Sequence, residues 1–211
     1  MSRDNVHLFN WNVRGLNAQA KQDAVKAFVY QTGASIVCLQ ETKLAVVTDR
    51  SISSTLGQNF VQSFAFLSAS GTRGGIILAC NSNFFSMSEI KQGQYSLTAT
   101  ITMLEEALQW SITVVYGPQL EADKIAFLTE LESLSPSMKP AWLLIGDFNL
   151  IYKAADKNND RLNRRMMQRF KGLIDKIEVK ELYLPGRRYT WAGDGQNPTQ
   201  TKIDRAFASP E

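Results

Sequence analysis

The chain has 211 residues, a net charge of +3, 44% hydrophobic and 20% charged residues, an ordinary balance for a globular protein with room for one large domain or a tight pair. No apolar run approaches the roughly 20 residues that span a bilayer, and the polar start at residues 1–6 is no secretory leader. We therefore expect no membrane partner and an intracellular protein, nuclear or cytoplasmic, with no evident targeting signal.

Residues 7–13 alternate and break at Gly15, which predicts a strand running into a loop. Asn17 is expected to cap a helix that buries Ala24, Val25, Phe28 and Val29 and closes at Gly33. Residues 35–40 read as a buried strand. Cys38 lies in that run and Cys80 in another apolar run. Both read as buried thiols, not as a disulfide or metal pair, which suits a reducing compartment. Residues 60–67, 74–80, 84–90, 95–103 and 110–116 are short strand-like runs divided by glycines and polar turns, the pattern of antiparallel hairpins. Residues 121–134 show helical spacing at Ile125, Leu128 and Leu131. Residues 142–146 form another buried strand. The clearest helix covers 161–179, with Met166, Phe170, Leu173, Ile174 and Ile177 on one side. Short strands at 189–191 and 203–208 close the chain. Strands outnumber helices throughout, which predicts a sheet-on-sheet core with helices outside.

Charge is uneven along this order. Between Arg161 and Lys180 lie Arg164, Arg165, Arg169, Lys171 and Lys176, against only Asp175 and Glu178. Such a face can meet phosphates, or it is simply the solvated side of a helix.

The informative residues are the polar ones that interrupt strands. Asn12 follows Phe9-Asn10-Trp11, Glu41 follows Val37-Cys38-Leu39-Gln40, and Asp147 and Asn149 follow Leu143-Leu144-Ile145-Gly146. Side chains at the ends of rigid strands are well placed for chemistry. Acids and amides are oxygen donors, which suit a hard cation such as Mg²⁺, and no cysteine or histidine cluster offers a zinc site. Singly, each such acid is better explained as a cap or turn residue; their repetition favours a site.

The motifs Trp11-Asn12-Val13-Arg14-Gly15-Leu16-Asn17, Leu39-Gln40-Glu41-Thr42, Val115-Tyr116-Gly117-Pro118, Gly146-Asp147-Phe148-Asn149, Tyr189-Thr190-Trp191 and Lys202-Ile203-Asp204-Arg205 occur in this order. In that order they resemble the endonuclease/exonuclease/phosphatase family, and most of all the endonuclease domain of plant LINE-type non-LTR retrotransposons. The resemblance implies an α/β (α+β) fold, a four-layer sandwich of two packed, mainly antiparallel sheets flanked by helices, with residues 1–211 as one domain. It implies a metal-dependent phosphodiesterase that nicks DNA. Glu41, helped by Asn12, would hold Mg²⁺, with Mn²⁺ as an alternative. Asp147 would orient and deprotonate the attacking water, and Asn149 would position that water or the phosphate. Tyr116 would hydrogen-bond the phosphate or assist the leaving oxygen. Asn12 and Arg14 would contact substrate, Thr190 would support the cleft, and Asp204 would orient a phosphate-clamping histidine. In this branch a reverse transcriptase domain lies further along the parent polyprotein; for this chain we expect a monomer.

One departure matters. The family places Ser-Asp-His shortly after the Ile-Asp motif, and no such triplet lies between Asp204 and Glu211. The chain therefore reads as C-terminally truncated before that segment. The one histidine, His7, lies about 17 Å from Asn12 along an extended strand and is a poor substitute. Loss of an acid/base or charge-stabilising group lowers rate by about 10²–10⁴, so impaired activity, or an inert remnant, is one expectation. A small phosphate ester or phosphoinositide in place of DNA is another, since fold does not fix substrate.

Overall fold

A computed structural model describes residues 6–71, 73–138 and 140–210. The polar start at 1–5 and Glu211 lie outside the described residues. In chain order the strands are β1 (Leu8–Asn12), β2 (Ile36–Gln40), β3 (Phe64–Ser70), β4 (Arg73–Cys80), β5 (Phe85–Gln92), β6 (Ser96–Met103), β7 (Gln109–Tyr116), β8 (Trp142–Asp147), β9 (Lys180–Glu181), β10 (Trp191–Ala192), β11 (Gln200–Thr201) and β12 (Asp204–Ala208). The helices are α1 (Gln19–Thr32), α2 (Asp49–Thr55), α3 (Lys124–Leu134) and α4 (Arg164–Lys176).

The strands form a four-stranded sheet in the order β1-β2-β4-β3 and a six-stranded sheet in the order β5-β6-β7-β8-β12-β9, with β10 and β11 as a separate small hairpin. Pairing in the two sheets is antiparallel except at β1–β2 and β7–β8. Those two parallel pairs are the ones joined across a helix, α1 and α3, because a parallel return needs a long crossover. The expected hairpins appear as β3–β4, β5–β6 and β6–β7.

Alternation along the strands sorts the apolar residues into three clusters, one for each interface between four layers. Val25, Val29, Ile52 and Leu56 from the α1–α2 side meet Val37, Leu39, Ile77 and Ala79. Ile36, Cys38, Ile76 and Leu78 of one sheet meet Leu97, Ala99, Ile112, Val114 and Ile145 of the other. Phe127, Leu131, Phe170 and Ile174 of α3 and α4 cover Leu144 and Phe207. The two sheets flanked by helices are the α/β sandwich that the sequence predicts. Both cysteines are buried and free, and burial in the apolar layer pushes both thiols up. Among the described residues no helix is long and apolar enough to cross a membrane.

Several local expectations change. Asn17 does not cap α1. Ala18 holds that position without a side-chain hydrogen bond, and Asn17 Nδ2 turns to Lys43 O, 3.4 Å away. Val25 and Val29 are buried, but Phe28 is 46% exposed, because β1 is the edge strand of its sheet and no other described strand lies beyond it to cover the ring. In α3 Ile125 is 40% exposed and Phe127 takes its place in the core. The run at 60–67 divides into a 3-10 turn, Gln58–Phe60, and β3. Only Trp191 of 189–191 is in a strand. Helix α2 went unrecognised: it is short, polar, and held by a capping box between Thr48 and Ser51.

Candidate active site

The predicted site residues meet where strands from both sheets end at the mouth of the space between them. In the larger sheet Tyr116 of β7 is the partner of Asp147 of β8, and Asp147 is the partner of Asp204 of β12. These three residues form one row across adjacent strands, on the face that carries Val114, Ile145 and Ala206 into the inter-sheet layer. In the smaller sheet Asn12 is the partner of Gln40, and both lie on the face that also bears Ile36 and Cys38.

Asn12 joins the sheets. Its Nδ2 donates to Asp147 Oδ2 at 2.8 Å, and its Oδ1 accepts from Arg14 N at 3.1 Å. Asp147 Oδ1 accepts from Asn149 N at 2.9 Å. The Glu41 carboxylate lies close enough to Tyr116 for its charge to help raise the phenol, so Glu41 faces the second sheet as well. Lys43 Nζ lies 3.1 Å from Glu41 Oε1. Thr190 Oγ1 accepts from Ile203 N at 3.0 Å and Asp204 N at 3.1 Å, which pins the start of β12.

A cavity of about 340 Å³ opens here, lined by Asn12, Arg14, Asp147, Thr190 and Asp204, with Trp11 and Lys21 in its wall. Glu41, Tyr116 and Asn149 stand beside it; Asn149 Nδ2 is engaged with Gly117 O at 2.7 Å. His7 is remote from the cavity, as expected. It is exposed, with Nδ1 2.8 Å from Thr32 O.

Two glycines explain why the motifs take the form they do. A Cβ on Gly117 would lie 2.1 Å from Phe148 O, and one on Gly146, at φ +141°, 2.2 Å from Val115 O. The Tyr-Gly-Pro and Gly-Asp-Phe-Asn segments therefore approach each other more closely than any side chain permits. Backbone strain gathers at the same place. Arg14, Glu41 and Asn149 have φ of 51°, 53° and 48°, a region that costs about 1–3 kcal/mol for a residue other than glycine. Each follows a strand end, where the left-handed turn redirects the chain around the cavity.

The electrostatics set Asp147 apart. Its carboxyl is 3% exposed. Burial, and then the charge of Asp204, push its pKa up from 3.8 to about 7, even though hydrogen bonds from Asn12 and Asn149 favour the ionised form. Burial also raises Asp204, opposed by Thr190 and by the guanidinium of Arg14. Tyr116 is pushed well above its ordinary value by burial and by Glu41 and Asp147. Three acids thus face one region, and the two nearby cations, Lys43 at Glu41 and Arg14 beside Asp204, leave Asp147 raised.

Other polar residues here carried no assigned role in the sequence reading. Gln40 is buried; its Nε2 donates to Asn10 Oδ1 at 2.8 Å, and its Oε1 has no hydrogen-bond partner among the described residues. Lys43 is the cation at Glu41. Asp204 does not pair with its neighbour Arg205, which points to the opposite face and binds Asp156 and Glu181. The signal for that network was faint: Asp156 and Glu181 sit in loop-like stretches, and only the fold brings them together.

The sequence profile of the Endonuclease/Exonuclease/phosphatase family matches residues 9–211. No curated protein sequence matches the chain. Among solved structures, the AP endonuclease LMAP from Leishmania major superposes with a TM-score of 0.73 at 16% identity, covering 97% of this chain and 79% of that one. The endonuclease domain of TRAS1, a telomere-specific non-LTR retrotransposon, gives 0.68 at 14% identity, covering 98% and 86%. TDP2 of D. rerio, complexed with a single-strand DNA product, gives 0.66 at 14%, covering 97% and 83%. At these identities the likeness is one of fold.

Proposed function

The chain belongs to the endonuclease/exonuclease/phosphatase family, and on that premise we propose that it is a divalent-metal-dependent phosphodiesterase that nicks DNA, of the kind carried by LINE-type retrotransposons. The observation that carries this reading is the row Tyr116–Asp147–Asp204, tied across the inter-sheet space by Asn12 and faced by Glu41.

Among the described residues no three acids, histidines or cysteines close around one point as a metal cage. Mg²⁺ does not need one, because one or two carboxylates suffice when phosphate and water supply the remaining oxygens. The donors fit such an open site. They are all oxygens, and the Glu41 carboxylate already draws the Lys43 ammonium to it. Glu41, helped by Asn12, would hold Mg²⁺ or Mn²⁺, and the bound ion would neutralise charge on the phosphate and leaving oxygens.

The chain's own groups supply the rest. Asp147, with its pKa near 7, is matched to take a proton from water at neutral pH. The bonds from Asn12 Nδ2 and Asn149 N hold its two oxygens in fixed directions. Tyr116 keeps its proton and can donate it in a hydrogen bond to a phosphate oxygen. Arg14, beside Asp204, brings positive charge to the wall where a phosphate would lie. Thr190 sets the position of Asp204 through the two backbone N–H groups it accepts. Asp204 would in turn orient a histidine from a Ser-Asp-His segment. We read residues 1–211 as a single, monomeric domain of a larger polyprotein with a reverse transcriptase, working in a reducing intracellular compartment in keeping with its two free, buried thiols.

DNA is preferred over a small phosphate ester because α4 presents Arg164, Arg165, Arg169, Lys171 and Lys176 to solvent, and a basic face favours a polyanion. The test is nicking of supercoiled plasmid with Mg²⁺, beside a Glu41→Ala chain and an EDTA control. Nicking lost in both controls supports the proposal. A folded chain that cleaves bis-p-nitrophenyl phosphate but not plasmid moves the reading to a small ester, and one that cleaves neither is an inert remnant.

A further inference from the structure

The edge of the smaller sheet carries an aromatic cluster that is only partly taken up in packing and has no part in the hydrolytic row. Phe9 and Trp11 project from the outer face of β1 and meet Phe28 of α1. The rings of Phe9 and Phe28 are stacked with centroids 6.4 Å apart, and Trp11 meets Phe28 edge-on at 5.5 Å. Phe9 and Trp11 are themselves edge-to-face at 6.0 Å. The cluster is not sealed, since Phe28 is 46% exposed, and among the described residues β1 has no strand beyond it. Lys21, seven residues before Phe28 and so on the same side of α1, holds its ammonium 5.7 Å from the Trp11 ring centre.

Trp11 and Lys21 also form part of the wall of the cavity that contains Asp147 and Asp204. The aromatic cluster is therefore the continuation of that cavity across the β1 edge, and its rim is cationic on the cavity side through Lys21 and Arg14.

We infer that Phe28, Trp11 and Phe9 form a stacking platform for an unpaired nucleotide base of the strand whose phosphate lies in the cavity, with Lys21 taking a neighbouring phosphate. The inference rests on the phosphodiesterase reading and extends it to the substrate: a strand with at least one unpaired base beside the target phosphate. The chemistry selects this occupant. An exposed ring face beside a cation meets both halves of a nucleotide, the π-surface and the phosphate, and it accepts any base because every base has a π-face. An apolar protein partner would cover the rings but would bring no anion to the Lys21 ammonium beside them.

The test is binding without catalysis. In EDTA, the affinity for a fluorescein-labelled eight-nucleotide oligothymidylate is measured by anisotropy, with an abasic strand of the same length as the probe that keeps the phosphates and lacks the bases. Phe28→Ala should weaken oligothymidylate binding by about 5- to 20-fold, leave abasic-strand binding within twofold, and be restored by Phe28→Trp. Lys21→Ala should weaken both strands and flatten the salt dependence. A Phe28→Ala effect under twofold, or one equal on the two strands, overturns the platform. Because no turnover is read, failure of the platform is distinguishable from failure of the hydrolytic reading, which the plasmid assay decides. Phe28 is half exposed on a solvent-facing helix, and far-UV circular dichroism with a urea midpoint confirms that each variant is folded.

Discussion

Asp204 and Arg205 are neighbours on β12, and they enter two opposite electrostatic worlds. Asp204 faces the inter-sheet cavity with Asp147 beside it and Glu41 beyond. Arg205 passes to the other face, where it is buried and bound to Asp156 and Glu181, while Lys202 Nζ reaches Glu181 Oε1 at 2.7 Å. On that side the acids are matched by cations. For Glu181 burial raises the carboxyl, but Lys202 and Arg205 outweigh it, so its pKa falls. On the cavity side burial and like charge win, and Asp147 rises to about 7. Acids paired with cations hold the frame, whereas Asp147, beside a second acid and held by amide groups rather than by a cation, keeps proton affinity in reserve for chemistry.

Breaking the cavity side should give the largest effect. Asp147→Asn keeps the shape but removes the proposed base and one acceptor, and the proposed nicking should fall by about 10²–10⁴. The same variant should change stability in a pH-dependent way. Because the folded carboxyl of Asp147 titrates near 7 rather than 3.8, its favourable contribution is fully present below about pH 4 and is lost as pH rises through 7. Asp147→Asn should therefore gain on wild type between pH 5 and pH 8 in urea unfolding. A difference that stays flat across that window would refute the raised proton affinity.

Breaking the paired side should cost stability instead. Arg205→Met leaves Asp156 and Glu181 without their buried partner and should destabilise the fold by about 3–5 kcal/mol. Adding Asp156→Asn should recover part of that loss, measured by the same unfolding curves. If Arg205→Met unfolds at the wild-type urea midpoint, the network is not structural.

The coupling within the cavity can be read directly. Carbon-13 titration of Asp147 in metal-free protein should give a midpoint near 7, and Asp204→Asn should move it down, since the Asp204 charge helps hold it up. The smallest change belongs to Lys43. It neutralises Glu41 from a partly exposed position, and such pairs contribute about 0.2–1 kcal/mol. Lys43→Ala should lower the Mg²⁺ concentration for half-maximal nicking by about 1.5- to 5-fold, and an unchanged requirement would separate Lys43 from the proposed cation position.

Most strands were legible because alternation and apolar runs are local signals. Residues 74–80 and 110–116 needed only small changes at their ends to become β4 and β7. Helix α4 showed itself through its strong amphipathic spacing, although it is shorter than predicted. The faces of α1 and α3 were less legible. A period of 3.6 picks out a stripe, but whether Phe28 or Ile125 is covered depends on what lies beyond the helix. Expected backbone strain was absent from the sequence reading, because nothing in Glu41 or Arg14 as residue types announces a positive φ.

By itself the sequence determined that strands run out into Asn12, Glu41, Asp147 and Asn149, and that these ends carry oxygen donors, because the period of a strand and the chemistry of a side chain are both properties of neighbouring residues. Only the tertiary structure decided that Asn12 donates to Asp147 across 135 residues, that Tyr116, Asp147 and Asp204 share one row, and that Arg205 turns from Asp204 to Asp156. Those outcomes depend on strand register and on which faces pack together, and register is set by long-range pairing rather than by local pattern.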